Sequence, residues 1–446
     1  MGHDKEAARG AHSIVPPMRP SRIAISGIGV ASPFGAGREC YWDHVKQGRS
    51  GTRRIDEFDP SQFACQVAAP LPALCVDQAP RLESHPSLDT QAGDDVLRER
   101  AEARRYSRAS LAAVIAAREA WHDAGLRMGE PDAGVIIGTG GGGIELGEKQ
   151  YREFFTDGLK RVTPYAIPIA ICGMLSSEIS IALQLHGISH VLSTGCTSST
   201  DATGYALGLL RAGEAEVLLC GGVDACVTPG MIYGFSRMRV VSTAFNDVPE
   251  QASRPFDATR DGFVLGEGAW MYVLEREERA RARGAHVYAV IEGYGSTCDA
   301  YHRVQMDPEG IQIVRAMAMA LQRAGRAPES IGYVNFHGTS TQLNDAIEIR
   351  CVRTVFDGHA DRLCGSSTKS MVGHPQGASG ACGIVTTALA LDRGFLPPTI
   401  NVTHLDPACD MDVLPNQGRA IQVEAALCNC LGFGSKNSAV VMGRAQ

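Results

Sequence analysis

The feature that most constrains this chain is an alternation of short β-branched runs ending in glycine with long, alanine-rich amphipathic stretches. RIAISGIG (22–29), GVIIGTG (134–140), HVLSTG (190–195), VLLCGG (217–222), VYAVIEGYG (287–295) and YVNFHG (333–338) predict strands. Residues 107–124, 201–213, 311–324 and 380–392 predict helices. Strands that alternate with helices predict a buried parallel sheet covered by helices, an α/β fold. The 446 residues, 44% hydrophobic, are ample for a large core, and 50 glycines fit many tight turns. Residues 70–105, rich in Pro, Ser and charge, predict an exposed excursion, and residues 1–20, with Pro16, Pro17 and Pro20, a loose leader lacking the apolar stretch of a signal peptide.

Two segments repeat the pattern. AWHDAGLRMGEPDAGVIIGTG and ALQRAGRAPESIGYVNFHGTS align without a gap at an offset of 200, matching Gly125 to Gly325 and Gly138 to Gly338. Each reads as helix, turn and strand. A duplication of this kind predicts two similar α/β halves whose strand ends meet at a common centre, and sites in α/β sheets form at such ends. Attention therefore falls on the residues immediately after Gly195, Phe336 and Gly365.

Composition removes several classes of function. A net charge of −7 without any run of Lys or Arg argues against nucleic acid as a partner. No stretch approaches a membrane span, so the expected location is cytoplasmic. The 14 cysteines contain no C-x-x-C; Cys428 and Cys430 form only C-x-C, and most read as small core residues in a reducing compartment. Gly138-x-Gly140-x-x-Gly143 matches the dinucleotide fingerprint, but Asp157, near the expected acidic position, follows the helix-like EKQYREFF with no strand to present it.

The segment S-T-G-C196-T-S-S-T-D-A runs from a strand into a helix. A cysteine there faces unpaired N–H groups and the positive end of the dipole, which predicts a lowered thiol pKa and a nucleophile. The next strand end carries His337, Asp345 and Glu348, and the third carries Lys369 and His374. One Cys and two His could bind zinc, but no spacing signature accompanies them. A thiol, two imidazoles, an ammonium and a carboxylate suit covalent catalysis with a separately stabilised anion.

The segments around Cys196, His337, Lys369 and His374, with RPFDATRDGFVLGEGA (254–269), the run 299–302 (DAYH) and LGFGSKNSAV (431–440), resemble the β-ketoacyl-(acyl carrier protein) synthases of the thiolase fold. V-L-S-T-G-C-T-S, T-Q-L-N-D and N-D-V-P-E-Q-A-S-R-P-F-D (246–257) are most similar to the catalytic ketosynthase of type II polyketide systems. The resemblance implies a layered α-β-α-β-α fold, with residues 21–285 as the half bearing the nucleophile and 286–446 as the half bearing the histidines. It implies that Cys196 takes an acyl group from a carrier thioester, with the N–H groups of Cys196 and Phe433 as oxyanion hole and the Phe433 ring as a gate. His337 and His374 then hold the malonyl carbonyl while CO₂ leaves. Lys369 and Glu348 support them by pairing and orienting the histidines, and Asp345 is a further acidic position. Gly141 lines the acyl pocket. Ser435 and Lys436 stand where fatty-acid relatives have Gly and Thr.

The same resemblance implies no cofactor beyond the phosphopantetheine arm of an acyl carrier protein. The carrier is met by a positive rim for which Lys160, Arg161, Arg237 and Arg239 are candidates. It implies a heterodimer with a chain-length-factor-like subunit, or a homodimer if the pathway is fatty-acid elongation. A thiolase would need a second cysteine, for which Cys428 and Cys430 are placed. A non-catalytic chain-length factor would lack the Cys196 that this chain keeps.

Overall fold

The structure, a computed structural model, describes residues 21–85, 106–158 and 162–445. The leader 1–20, the end of the excursion (86–105), Lys160 and Arg161 lie outside the described residues.

The main sheet has eleven strands among the described residues, the two-residue Gly35–Ala36 pairing only with the end of the first, and ten lie along its main path: β1 (Ile23–Ser32), β2 (Ala133–Gly138), β3 (Ser189–Leu192), β4 (Val217–Asp224), β5 (Gly268–Arg276), β6 (Ala289–Cys298), β7 (Tyr333–Asn335), β8 (Cys364–Ser366), β9 (Ala425–Gly432) and β10 (Lys436–Arg444). Their spatial order is β8-β7-β9-β10-β6-β1-β5-β4-β2-β3. From the central β1·β6 pair outward, both directions read antiparallel, antiparallel, parallel, parallel. The expectation of a purely parallel sheet is therefore corrected. Of the strands absent from the sequence reading, β9 joins β7 and β8 in a parallel set, while β5 and β10 insert antiparallel between the parallel sets and the centre. Buried nearly end to end, they show no polar alternation to mark them.

The principal helices are α1 (Arg108–Asp123), α2 (Ile144–Asp157), α3 (Met174–Leu183), α4 (Ser198–Ala212), α5 (Pro229–Met238), α6 (Ile311–Ala324), α7 (Gln342–Phe356) and α8 (Ser379–Arg393). The alternation of side chains along the strands sorts the core into layers. Val135, Ile137, Leu219 and Met271 pack against α1 and α3, while Val334, Leu427 and Val441 pack against α6 and α7. Ile136, Leu218, Tyr272, Tyr333, Cys428 and Val440 face inward onto α4 and α8, in one shared cluster. Five layers result, α-β-α-β-α, with the two half-sheets joined edge to edge through Ile23–Ile25 and Ala289–Ile291.

The halves repeat in detail. β1 carries a register shift between Ile25 and Gly27, and β6 carries one between Ile291 and Gly293. A Cβ on Gly27 would lie 2.2 Å from the Ala120 carbonyl oxygen of α1, and one on Gly293 would lie 2.1 Å from that of Ala320 on α6. Only glycine permits so close a helix-to-strand approach, and both halves use it at the same place. Gly125 and Gly325, the pair aligned in the sequence, both adopt left-handed φ (66° and 65°) after their helices.

Two close contacts bring the inner helices together above the strand ends. Ser199 accepts from the Ala381 backbone N–H at 2.8 Å, and Gly380 sits where a Cβ would strike Thr200. The N-terminus of α4 thereby lies against that of α8.

Candidate active site

β3 ends at Leu192, and the chain turns through Gly195 (φ 72°) into α4, whose N-cap is Thr197. Left-handed φ at this elbow favours glycine. The turn is locked by hydroxyls: Thr194 and Thr197 donate to Asp201 at 2.6 and 2.9 Å, and Ser198 donates to the Gly195 carbonyl. Cys196 sits between the elbow and the cap and is 4% exposed.

His337 follows β7, and its loop is held from α7. Glu348 accepts the backbone N–H of His337 at 2.7 Å, that of Gly338 at 2.8 Å and the Asn429 side chain at 2.7 Å. One turn earlier, Asp345 accepts from Thr339 and Phe256 N–H groups at 3.0 and 2.9 Å, with Arg260 3.6 Å away. His374 is seated by the 254–269 motif: its N–H donates to the Val264 carbonyl at 2.7 Å, and the Phe263 ring packs edge-on at 5.2 Å. The run 299–302 cradles the G-F-G-S turn, where Ser435 (φ 64°) donates to the His302 carbonyl at 2.8 Å.

Three distant segments thus converge. The Cys196 sulfur and one nitrogen from each of His337 and His374 lie within 4.8 Å of one another, and among the described residues the group closes at three. The imidazoles meet edge to face, 5.3 Å between centroids. They line a cavity of about 470 Å³ with Phe433, Phe263, Met238 and Arg239.

Burial sets the protonation states. The Cys196 thiol is pushed up to about 11, against the backbone N–H groups of Phe433 and of Cys196 itself and the Lys369 charge, all of which favour thiolate. The lowered thiol expected from the helix terminus is thus corrected: removing the sulfur from water costs more than these fields return. Both histidines are held well below the usual range by burial and then by Lys369, so they are neutral imidazoles. Glu348 is raised to about 7 by burial.

The supporting residues act differently from the expectation. Among the described residues no ion pair joins Lys369 to Glu348, and Glu348 grips the His337 backbone rather than its ring. Lys369 reaches the site as a nearby charge on Cys196, His337 and His374. Gly141 does not line the cavity at Cys196. Its N–H donates to the buried Asp224 at 2.8 Å, and a Cβ there would lie 2.4 Å from the Cys226 sulfur. Asp224 also takes the Gly140 and Gly377 N–H groups and the Thr139 hydroxyl, so the glycine-rich turn has its donors committed and presents no phosphate cradle.

Arg237 and Arg239 are exposed, and only Arg239 lines the cavity. Cys428 lies in the core beside Thr387, and Cys430 is buried behind His337; neither lines the cavity. The sequence reading missed Ser379, whose hydroxyl lies 2.9 Å from His374 Nδ1, and Asp224, which joins two loops across the fold. No local signal marks either, because their partners lie elsewhere in space.

The geometry offers a buried thiol with two N–H groups at its sulfur, opposite two neutral imidazoles that can donate to one oxygen. Comparison with known proteins agrees. Residues 20–280 match the N-terminal domain of beta-ketoacyl synthase and residues 288–403 its C-terminal domain. A 3-oxoacyl-[acyl-carrier-protein] synthase 2 of Coxiella burnetii is 39% identical, covering 96% of this chain and 99% of that protein. Among solved structures, the ishigamide ketosynthase/chain length factor is 31% identical with a TM-score of 0.85, and the type II polyketide complex AntDE:AntF is 27% identical with a TM-score of 0.84. Each covers 96% of this chain and 100% of its own. With both domain matches, near-complete coverage by a relative and the site assembled as described, this chain belongs to the beta-ketoacyl synthase family.

Proposed function

We propose that Cys196 is the acyl-carrying nucleophile and that His337 and His374 hold the malonyl unit. The chain is a ketosynthase, an acyltransferase that joins an acyl group to malonyl-acyl carrier protein by decarboxylative Claisen condensation. The Cys196 sulfur attacks the carrier thioester, and its proton leaves with the pantetheine thiol. The oxyanion of that step sits at the Cys196 and Phe433 N–H groups. Malonyl thioester then enters with its carbonyl oxygen between the two imidazole N–H donors. Its C–CO₂ bond breaks, CO₂ departs, and the bonding pair becomes an enolate on that oxygen. The enolate carbon attacks the acyl-Cys196 carbonyl, and collapse expels Cys196 as a thiolate, which takes one proton from solvent to restore the thiol, and leaves a β-ketoacyl carrier.

The observation that carries this reading is the convergence of one sulfur and two imidazoles within 4.8 Å in one buried cavity. It is tested by CO₂ release from malonyl-carrier. His337→Ala or His374→Ala is expected to lower it by about 10²–10³, the range for loss of one such donor, while Cys196 still acylates. Unchanged CO₂ release in both variants contradicts the assignment.

We read the pathway as polyketide elongation, supported by the likeness to AntDE:AntF, a type II polyketide carrier protein in complex with its ketosynthase. Fatty-acid elongation is the second reading, favoured by the 39% identity to a 3-oxoacyl-[acyl-carrier-protein] synthase 2. Repeated condensation on malonyl-carrier alone, without reductases, supports the first; a single extension supports the second. Arg239 at the mouth, with Arg237 beside it, suits an acidic carrier, and Arg239→Glu is expected to raise the carrier KM. The edge of β3, open among the described residues, with Ile171 and Tyr205 exposed nearby, suits a second subunit of the same fold. The division of the chain near residue 286 is supported by the mirror point of the sheet between β1 and β6.

A further inference from the structure

Asp201 stands in the first turn of α4, shortly after Cys196, and is 8% exposed. Its two carboxylate oxygens serve different halves of the molecule. Oδ2 accepts from the Thr194 hydroxyl at 2.6 Å and lies 2.9 Å from that of Thr197, both in the elbow that carries Cys196. Oδ1 accepts from the Tyr294 hydroxyl of β6 at 2.7 Å and from the Ser438 hydroxyl of β10. Burial and then the Asp201 charge push the Tyr294 hydroxyl up, so it keeps the proton it donates.

The same two halves supply the N–H groups at the Cys196 sulfur, one from Cys196 itself and one from Phe433. The first belongs to the elbow. The second belongs to the turn that joins β9 to β10, and Ser438 opposes Cys430 in the ladder behind that turn. Turn and elbow pack closely: a Cβ on Gly432 would lie 3.2 Å from the Cys196 nitrogen, and one on Gly195 would lie 3.3 Å from the Phe433 carbonyl oxygen. Two donors that must meet one oxygen thus come from different halves, and Asp201 is hydrogen-bonded to both halves. An asparagine there would offer one acceptor oxygen and one donor NH₂. Whichever way its amide turned, the hydroxyls on one side would lose their acceptor.

We propose that Asp201 is a positioning residue for acylation: it pins the Cys196 elbow to β6 and β10, so that the Cys196 and Phe433 N–H groups converge on the thioester oxyanion. The inference rests on the roles given to Cys196 and Phe433 above. A carboxylate that only holds the fold together affects every step alike. A tether of the oxyanion hole affects the saturating rate of acylation and spares malonyl decarboxylation, whose charge develops at the imidazoles instead.

The test compares the full chain with Asp201→Asn, with the double variant Tyr294→Phe/Ser438→Ala and with Cys196→Ala. Intact mass reads the rate of acylation against acyl-carrier concentration, and CO₂ release from malonyl-carrier reads decarboxylation. Asp201→Asn is expected to lower the saturating acylation rate by about 10–100-fold, the cost of a displacement up to about 1 Å, with the half-saturating carrier concentration and CO₂ release within about twofold of the parent. The double variant removes only the donors on the far side and leaves the carboxylate in place. It is expected to slow the same step and spare the same two quantities, and it decides the matter if Asp201→Asn does not fold. Parent-rate acylation in either folded variant overturns the proposal, and so does a fall of acylation and CO₂ release by one common factor. Acylation that persists in Cys196→Ala instead overturns the role of Cys196 itself. Acylation lost in Cys196→Ala but unchanged in Asp201→Asn leaves that role standing and removes Asp201 alone.

Discussion

Cys196, the proposed nucleophile, is held mostly as thiol. With the group pushed up to about 11, the thiolate fraction below that value rises tenfold per pH unit. Alkylation by iodoacetamide, read on the Cys196 peptide, is expected to climb about tenfold per unit from pH 7 to 10. Lys369→Met removes a charge that favours thiolate and is expected to slow alkylation at every pH in that range. A rate that levels off by pH 8 would mean that the helix terminus outweighs burial. Such a thiol resists stray electrophiles and reacts when a bound thioester supplies a leaving group to take its proton.

At the scale of elements, two glycine positions and one carboxylate place the site. Gly27→Ala or Gly293→Ala forces a methyl against a carbonyl oxygen 2.2 or 2.1 Å away and drives α1 or α6 off its strand. Each is expected to cost about 1–3 kcal/mol, visible as a lower melting temperature. Glu348 on α7 holds the His337 loop, and burial lifts it from 4.5 to about 7. The folded protein therefore keeps a proton there that the unfolded chain releases. The stability linked to Glu348 is full below pH 4.5 and declines as pH rises to about 7. Glu348→Gln cannot titrate, so its denaturation midpoint is expected to fall less than the parent's across that window.

Legibility in the sequence ended at these same elements. The Gly-ended strands and their helices, Cys196 at its elbow and the two histidines past β7 and β8 are local patterns, and the structure assembles them as read. β1, β2 and β4 are buried as fully as β5, β9 and β10, but β9 has no β-branched residue and β5 only Val273, so these two strands lacked the β-branched, Gly-ended run by which the others were read. The depth of the Cys196 sulfur, the grip of Glu348 on backbone rather than ring, and the contacts of Cys430 and Ser379 depend on residues brought together only by the finished fold.

Across the whole molecule, two similar halves place the Cys196 thiol of one beside the imidazoles of the other, at the layer where α4 and α8 meet. Among the described residues no helix is long and apolar enough to cross a membrane. The outer edge of β3, unpaired among the described residues, with Ile171 56% exposed and Tyr205 40% exposed, is expected to carry the subunit contact. Sedimentation of the chain, alone or with its partner subunit, should give a dimer, and Ile171→Asp should shift it toward the 47.4 kDa monomer. A monomeric parent contradicts that contact. The central claim, one sulfur as the acyl carrier, is met most directly by intact mass after mixing the protein with acyl-carrier thioesters. The parent is expected to gain one acyl group, mapped to the peptide containing Cys196, and Cys196→Ala to gain none; an equal gain in Cys196→Ala contradicts the account.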